Sequence, residues 1–326
     1  MKQQYTFEEI RRLPKAELHV HLDGSVRFET LVELMGEIKD SRKSISSMEL
    51  EQELQDVRRS KNLVSYLKVF GRTISVMQTL KNLTRVVKEL LEDAEQDGIN
   101  TLEVRFCPTL HTQNGLTHTE IIETVLATLS AEGQKRNIST GIIVCALRQL
   151  GPEHSMAMAK LAVAYKESGV VGLDLAGNES ASSASEHKEA FGWAKTHDLN
   201  RTIHAGEAMG PESIAQAIDD CMAERIGHGT RLTFDPTLSK RIKEKRIPLE
   251  ICPSSNVHTG ATPSLDEHPL NQYLADGQVV TINTDNRLMS QTTLSQEIWL
   301  CQNQFGWTQN DVDKIISNGI AASFVG

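Results

Sequence analysis

The stretch "INTLEVRFCPTLHTQNGLTHTEIIETVLATLSAEGQKRNISTGIIVCAL" (99–147) reads as strand, helix, strand. Its ends, "INTLEVRF" (99–106) and "TGIIVCAL" (140–147), are runs of strand length rich in Val and Ile. Its middle, "HTEIIETVLATLSAEGQKR" (118–136), carries apolar residues at helical spacing. Six further runs of the first kind recur along the chain: "AELHVHL" (16–22), "VVGLDLA" (170–176), "NRTIHAG" (200–206), "AERIGHG" (223–229), "IPLEICP" (247–253) and "QVVTINT" (278–284). Helical patterns at 151–169, 182–198 and 210–223 fill gaps between them, the last with Pro211 at a first helical position. Eight strands alternating with helices predict a (β/α)8 TIM barrel, one domain over 1–326. A doubly wound open sheet shows the same alternation, but no Gly-x-Gly-x-x-Gly opens a helix here, so a dinucleotide fold has no support.

The rhythm breaks once. Residues 27–97 separate the first two strands and are helical in character: "FETLVELMGEI" (28–38), "SMELEQELQDV" (47–57), "NLVSYLKVFGR" (62–72) and "LTRVVKELLEDAEQDG" (83–98). An insertion after a first barrel strand sits over the face where barrel enzymes keep their chemistry, so a helical lid is expected. The polar run "SRKSISSMELEQELQ" (41–55) reads as a mobile surface part of it. The final residues, "NGIAASFVG", read as the start of a last helix that is cut short.

The chain has 326 residues, 39% hydrophobic and 24% charged, enough for a substantial core, and a formal net charge of −9. That balance argues against nucleic-acid and anionic-membrane binding, both of which want basic surface. The five cysteines, Cys107, Cys145, Cys221, Cys252 and Cys301, are odd in number and include no Cys-x-x-Cys, so neither a disulfide framework nor a thiolate zinc site is expected. Cys107 and Cys252 lie near strand ends and read as packing residues. The opening "MKQQYTFEEIRRLP" lacks the apolar segment of a signal peptide, and no run approaches a membrane span. A cytoplasmic protein is expected. Nothing in the sequence sets its oligomeric state.

Polar residues gather at the strand ends. His19 and His21 stand two apart on one strand and so share a face. Asp23 follows in an Asp-Gly turn. His204 lies near the end of the fifth run with Glu207 three residues on, His228 lies between two glycines in the sixth, and Asp285 follows the eighth. Each alone has an ordinary reading as a core histidine or a helix cap. Together, histidines and one aspartate would converge on one barrel mouth. Imidazoles plus a carboxylate suit zinc with a position left for water.

At this point "ELHVHLDGS", "GLDLAGNE", "IHAGE", "RIGHG", "ICPSSN" and "NTDN", spanning 17–286, resemble in order the motifs of the adenosine deaminase family, within the metal-dependent amidohydrolase superfamily. The resemblance implies one Zn2+ held by His19, His21, His204 and Asp285. Zinc lowers the pKa of bound water from 15.7 to about 7. His228 would orient that water and take its proton, helped by Asp285. Glu207 would give a proton to purine N1, which requires a raised pKa. Ammonia would leave and a 6-oxopurine would form. Gly177 would offer its N–H to purine N3, Asp23 would bond a ribose hydroxyl, and His21 would also border the substrate. Leu63, Tyr66, Leu67 and Phe70, on one helical face, resemble the family's apolar lid. Asn286 departs from the commoner pattern, where a second Asp contacts N7; an amide donates to N7 without needing a proton.

The expected reaction is hydrolytic deamination of adenosine and 2′-deoxyadenosine in purine salvage. Free adenine or a 5′-modified adenine nucleoside is the alternative substrate. AMP would need a phosphate site, for which no Arg/Lys-Gly cluster stands near a strand end, and Arg287 is the only basic residue right beside the expected site. A binding protein with a dead site is disfavoured because every polar position is filled. A nucleic-acid editing deaminase would want Pro-Cys-x-x-Cys and a basic groove, and neither is present.

Overall fold

The computed structural model describes residues 3–38 and 45–325. Eight parallel strands follow one another in sheet order: β1 (Lys15–His21), β2 (Ile99–Phe106), β3 (Ser139–Leu147), β4 (Val170–Ala176), β5 (Asn200–Ala205), β6 (Arg225–His228), β7 (Leu249–Ile251) and β8 (Val280–Ile282). All eight expected runs are therefore strands, and the TIM barrel holds. The two edges meet through residues just past β8. His21 N–H donates to Asp285 O at 2.8 Å, and Asp285 N–H donates to His19 O at 2.9 Å. Below them side chains replace the ladder. Leu18 N–H donates to Asn283 Oδ1 and Thr284 N–H to Glu17 Oε1, each at 3.0 Å. Closure thus pins Asp285 against the His-x-His strand.

Outward-facing strand residues such as Leu18, Val20, Leu102, Val104 and Ile203 are buried under the helices. The barrel interior is charged. Arg105 bonds Asp174 at 3.2 Å and Glu250 at 2.8 Å; Arg225 bonds Glu103 and Glu250, each at 2.6 Å. These groups are 1% exposed or less. Buried charges survive only when paired and hydrogen-bonded, so this network fixes the interior as one interlocked layer beneath the mouth.

Between β1 and β2 run helices Phe28–Glu37, Ser47–Ser60, Leu63–Lys68, Phe70–Val76 and Leu80–Gln96. The last packs on helix His118–Arg136 and on β2, as an ordinary barrel crossover does. The polar run at 41–55 was read as mobile surface and, from 47, as helical; the helical reading holds. Residues 41–44 lie outside the described part. From Ser47 the chain is helical, opened by a Ser46/Glu49 capping box, and Leu50, Leu54 and Val57 bury one stripe of it. The four- and three-residue spacing of those apolar positions is diluted by glutamates and glutamines, which made the segment look like surface. The C-terminal reading is corrected. "NGIAA" ends a fourteen-residue helix, Gln309–Ala322, that packs on β8 and β1, and Phe324 stacks under the Arg225 guanidinium at 3.5 Å.

Candidate active site

His19 and His21 project from β1 into the mouth, and His204 from β5. His19 Nε2 and His204 Nε2 stand 3.1 Å apart, and His21 Nε2 and His204 Nε2 3.2 Å. Asp285 Oδ1 lies 3.4 Å from His19 Nε2 and 3.3 Å from His21 Nε2. Four atoms bound tetrahedrally at about 2.0–2.1 Å from one cation stand about 3.3–3.4 Å apart. The donor set and its spacing therefore fit a zinc-sized ion. His228 also brings a ring nitrogen within 4.8 Å of those of His19 and His204 and of Asp285. The closer separations favour His21 as the third imidazole.

Three of the four donors, His19, His204 and Asp285, are held from behind. His19 Nδ1 meets Glu250 Oε2 at 2.8 Å, and His204 Nδ1 meets Asp174 Oδ2 at 3.0 Å. Arg105 joins both carboxylates. Carboxylate partners of this kind fix ring orientation and leave Nε2 free to bind. Burial raises the Asp285 carboxyl, but the hydrogen bond from His19 and the surrounding imidazoles outweigh it and hold it far below the usual range. Ser255 Oγ donates to Asp285 Oδ2 at 2.5 Å. Gly227 is required where it stands, since a Cβ there would lie 3.0 Å from His19 Cε1 and 3.2 Å from His204 Cα. Alternation along β6 turns Arg225 and Gly227 inward. His228, next out by that rule, has φ +65° and packs its ring 4.9 Å from that of His19; Asp285 has φ +60°. Such backbone is unfavourable for both residues and persists only where the surroundings impose it.

Glu207 is 4% exposed, and burial followed by the Asp285 charge pushes its carboxyl up to about 8. Its loop is held by Glu179. That carboxylate accepts N–H bonds from Gly206 (2.6 Å), Glu207 (3.0 Å), Ala208 (2.5 Å) and Met209 (2.8 Å), and the Ser213 hydroxyl. Glu179 is the last residue of the "GLDLAGNE" motif, yet sequence reasoning used only Gly177 from it. Asp174, Glu250, Arg105, Ser255 and Asn256 were missed too.

A cavity of about 190 Å³ joins these groups. It is lined by His21, Asp23, Gly177, Glu207, His228 and Asn286, and roofed by Leu63, Tyr66, Leu67 and Phe70, so all the expected substrate residues meet in one space. Gln149, Leu147, Leu110 and Ile74 line it unforeseen. Cys107 and Cys145 border it as well. Gly177 has φ +93°, and a Cβ there would lie 2.2 Å from Gln149 Oε1. Asp23 Oδ1 and Asn286 Oδ1 are buried without a hydrogen-bond partner, and burial raises Asp23 to about 7. Among the described residues no Lys or Arg lines the cavity. Arg287 instead lines a separate open groove of about 720 Å³, with Arg11, Arg27 and Asp93, which contains none of the histidines.

The profile of the family described as Adenosine deaminase matches residues 14–326. An adenosine deaminase of Mycobacterium ulcerans is 39% identical over 337 residues, covering 98% of this chain and 92% of that protein. Among solved structures, an Arabidopsis N6-mAMP deaminase superposes with a TM-score of 0.88 at 30% identity, covering 98% of this chain and 96% of that one. An adenine deaminase from Arthrobacter aurescens gives 0.88 at 25% identity, covering 96% and 94%.

Proposed function

The chain belongs to the adenosine deaminase family, and on that premise we propose that it hydrolyses the 6-amino group of adenosine and 2′-deoxyadenosine, releasing ammonia and leaving the 6-oxopurine nucleoside. The observation that carries this reading is a buried carboxyl, Glu207, in one cavity with a four-donor cation site. We assign that site to zinc, with His19, His21, His204 and Asp285 as ligands. A zinc ion held there would lower the pKa of a bound water to about 7, so that hydroxide is available near neutral pH.

The chain's own residues do the rest. Glu207 holds its proton at neutral pH and gives it to purine N1, so that attack at C6 does not load the ring with negative charge. On this reading His228 orients the attacking water, and the pair His228 and Asp285 takes its proton. Gly177 offers backbone N–H to N3, at a position where a side chain cannot stand. Asn286 packs its Oδ1 over Gly24, at 2.0 Å from where a Cβ would be. Its Nδ2 is then the end that serves N7, which accepts. Asp23, with an unpartnered Oδ1, takes a ribose hydroxyl. Leu63, Tyr66, Leu67 and Phe70 cover the nucleoside and exclude water, as a lid within the 27–97 insertion.

The absence of Lys and Arg among the described lining residues argues against a 5′-phosphate. The unpartnered Asp23 argues for a ribose over free adenine. Among the described residues no helix is long and apolar enough to cross a membrane, and we place the enzyme in the cytoplasm. Initial rates with adenosine, 2′-deoxyadenosine, adenine and AMP test the reading. We expect the two nucleosides to exceed adenine and AMP in kcat/KM by at least a hundredfold. Preference for adenine or AMP would overturn the substrate assignment.

A further inference from the structure

His228 is backed by two buried residues that the reaction scheme leaves unused. Asn256 Nδ2 lies 2.8 Å from His228 Nδ1, and Asn256 Oδ1 lies 3.1 Å from His268 Nε2. The backbone N–H of Leu270 donates to His268 Nδ1 at 3.1 Å. The three side chains are 3% exposed or less. A backbone N–H can only donate, so the direction of every bond in this row follows from its far end. His268 Nδ1 accepts and carries no proton. Its Nε2 therefore carries one and donates to Asn256 Oδ1. That fixes the amide, whose Nδ2 donates to His228 Nδ1. A neutral imidazole has one donor and one acceptor nitrogen, so the proton of His228 sits on Nε2. Because each ring accepts at Nδ1, each carries a single proton, on Nε2, and is neutral.

We propose that Asn256 and His268 are positioning residues that lock His228 in its Nε2–H tautomer, so that it directs the attacking water by donating a hydrogen bond. The sequence reading of His228 as a proton acceptor is thereby revised. Its bare nitrogen is Nδ1, turned away from the mouth and already occupied. To accept at Nε2 the ring must shift its proton, the Asn256 amide must rotate, and His268 must give up the Leu270 bond. The lock also separates the histidines of the mouth. An imidazole nitrogen that bears a proton cannot bind a metal, so His228 stays out of the ligand set although it lies among the ligands, whereas His19 and His204 have Nδ1 on carboxylates and bind through Nε2. The number of protons on His228 is unchanged throughout; only their place on the ring is set.

The part concerning water rests on the deaminase reading; the tautomer itself does not, and it is measured separately. Zinc-loaded protein labelled with 15N-histidine is compared with His228→Gln to assign the His228 signals. We expect a pyrrole-type resonance for Nε2 and a pyridine-type one for Nδ1. Asn256→Asp, nearly the same shape, accepts from both rings and should exchange the two resonance types of His228. We expect kcat for adenosine to fall at least thirtyfold in that variant, with KM within threefold and zinc content unchanged. His228→Gln should also keep its zinc. A wild-type His228 with its proton on Nδ1 would overturn the proposal whether or not the variants fold. So would an Asn256→Asp enzyme with kcat within threefold of wild type, or zinc loss from His228→Gln. Failure to deaminate adenosine at all would sink the functional reading and leave the tautomer result standing.

Discussion

At Glu207, burial and the Asp285 charge act in the same direction, and both favour the protonated carboxyl. The sign of the pH dependence follows. Glu207 keeps its proton below about 8 and loses it as pH rises through that value. A step that needs this proton should be at full rate below that pH and decline above it, seen as a falling alkaline limb in kcat. Glu207→Gln removes the transferable proton and keeps the shape. A positioned general acid contributes about 10²–10⁴-fold, so kcat should drop by about that factor, with zinc content unchanged by metal analysis. Activity within a few-fold of wild type, or a kcat flat beyond pH 9, would assign the proton elsewhere.

The elements differ in how plainly the sequence announced them. Strands β3 and β4 carry Val/Ile runs because a parallel strand in a barrel is covered on its outer side by helices. The short strands β6 to β8 were read as runs of the same kind, "AERIGHG", "IPLEICP" and "QVVTINT". Helix Ser47–Ser60 was legible as a helical pattern over 47–57, but not the face it packs through, since only Leu50, Leu54 and Val57 are buried. The supporting carboxylates were hidden for another reason. Asp174 and Glu250 sit inside "GLDLA" and "LEI" as single acids in apolar runs, and they acquire partners only when the barrel closes. Asn256 and His268 lie twelve residues apart and meet through a loop that no periodicity describes. The apolar lining above the cavity, by contrast, was legible, because Leu63, Tyr66, Leu67 and Phe70 repeat at helical spacing. Tyr66 and Phe70 stack with ring centroids 6.4 Å apart, and the Tyr66 hydroxyl reaches Ser290 Oγ at 3.2 Å. Phe70→Ala uncovers apolar surface of the substrate. Burying a Phe is worth about 1.5–3 kcal/mol, and part of that is felt by the ligand, so KM for adenosine should rise about tenfold with kcat changed less. An unchanged KM would make this helix an annex of the core and no lid.

Across the whole molecule, one point joins fold and chemistry. Asp285 closes the barrel through its backbone bonds to His19 and His21, and its carboxylate completes the cation site with the same two rings. A ligand that binds only the folded state stabilises it by mass action, so zinc should raise the unfolding temperature as well as the rate. The central claim is that one cation, held by His19, His21, His204 and Asp285, drives deamination of adenosine. The most direct test is to strip the protein with a chelator, add zinc back in known amounts, and follow adenosine turnover against zinc bound per chain. The account predicts no turnover in the stripped protein and a linear rise that levels off at one zinc per chain. Turnover without metal, or a plateau at two, would contradict it.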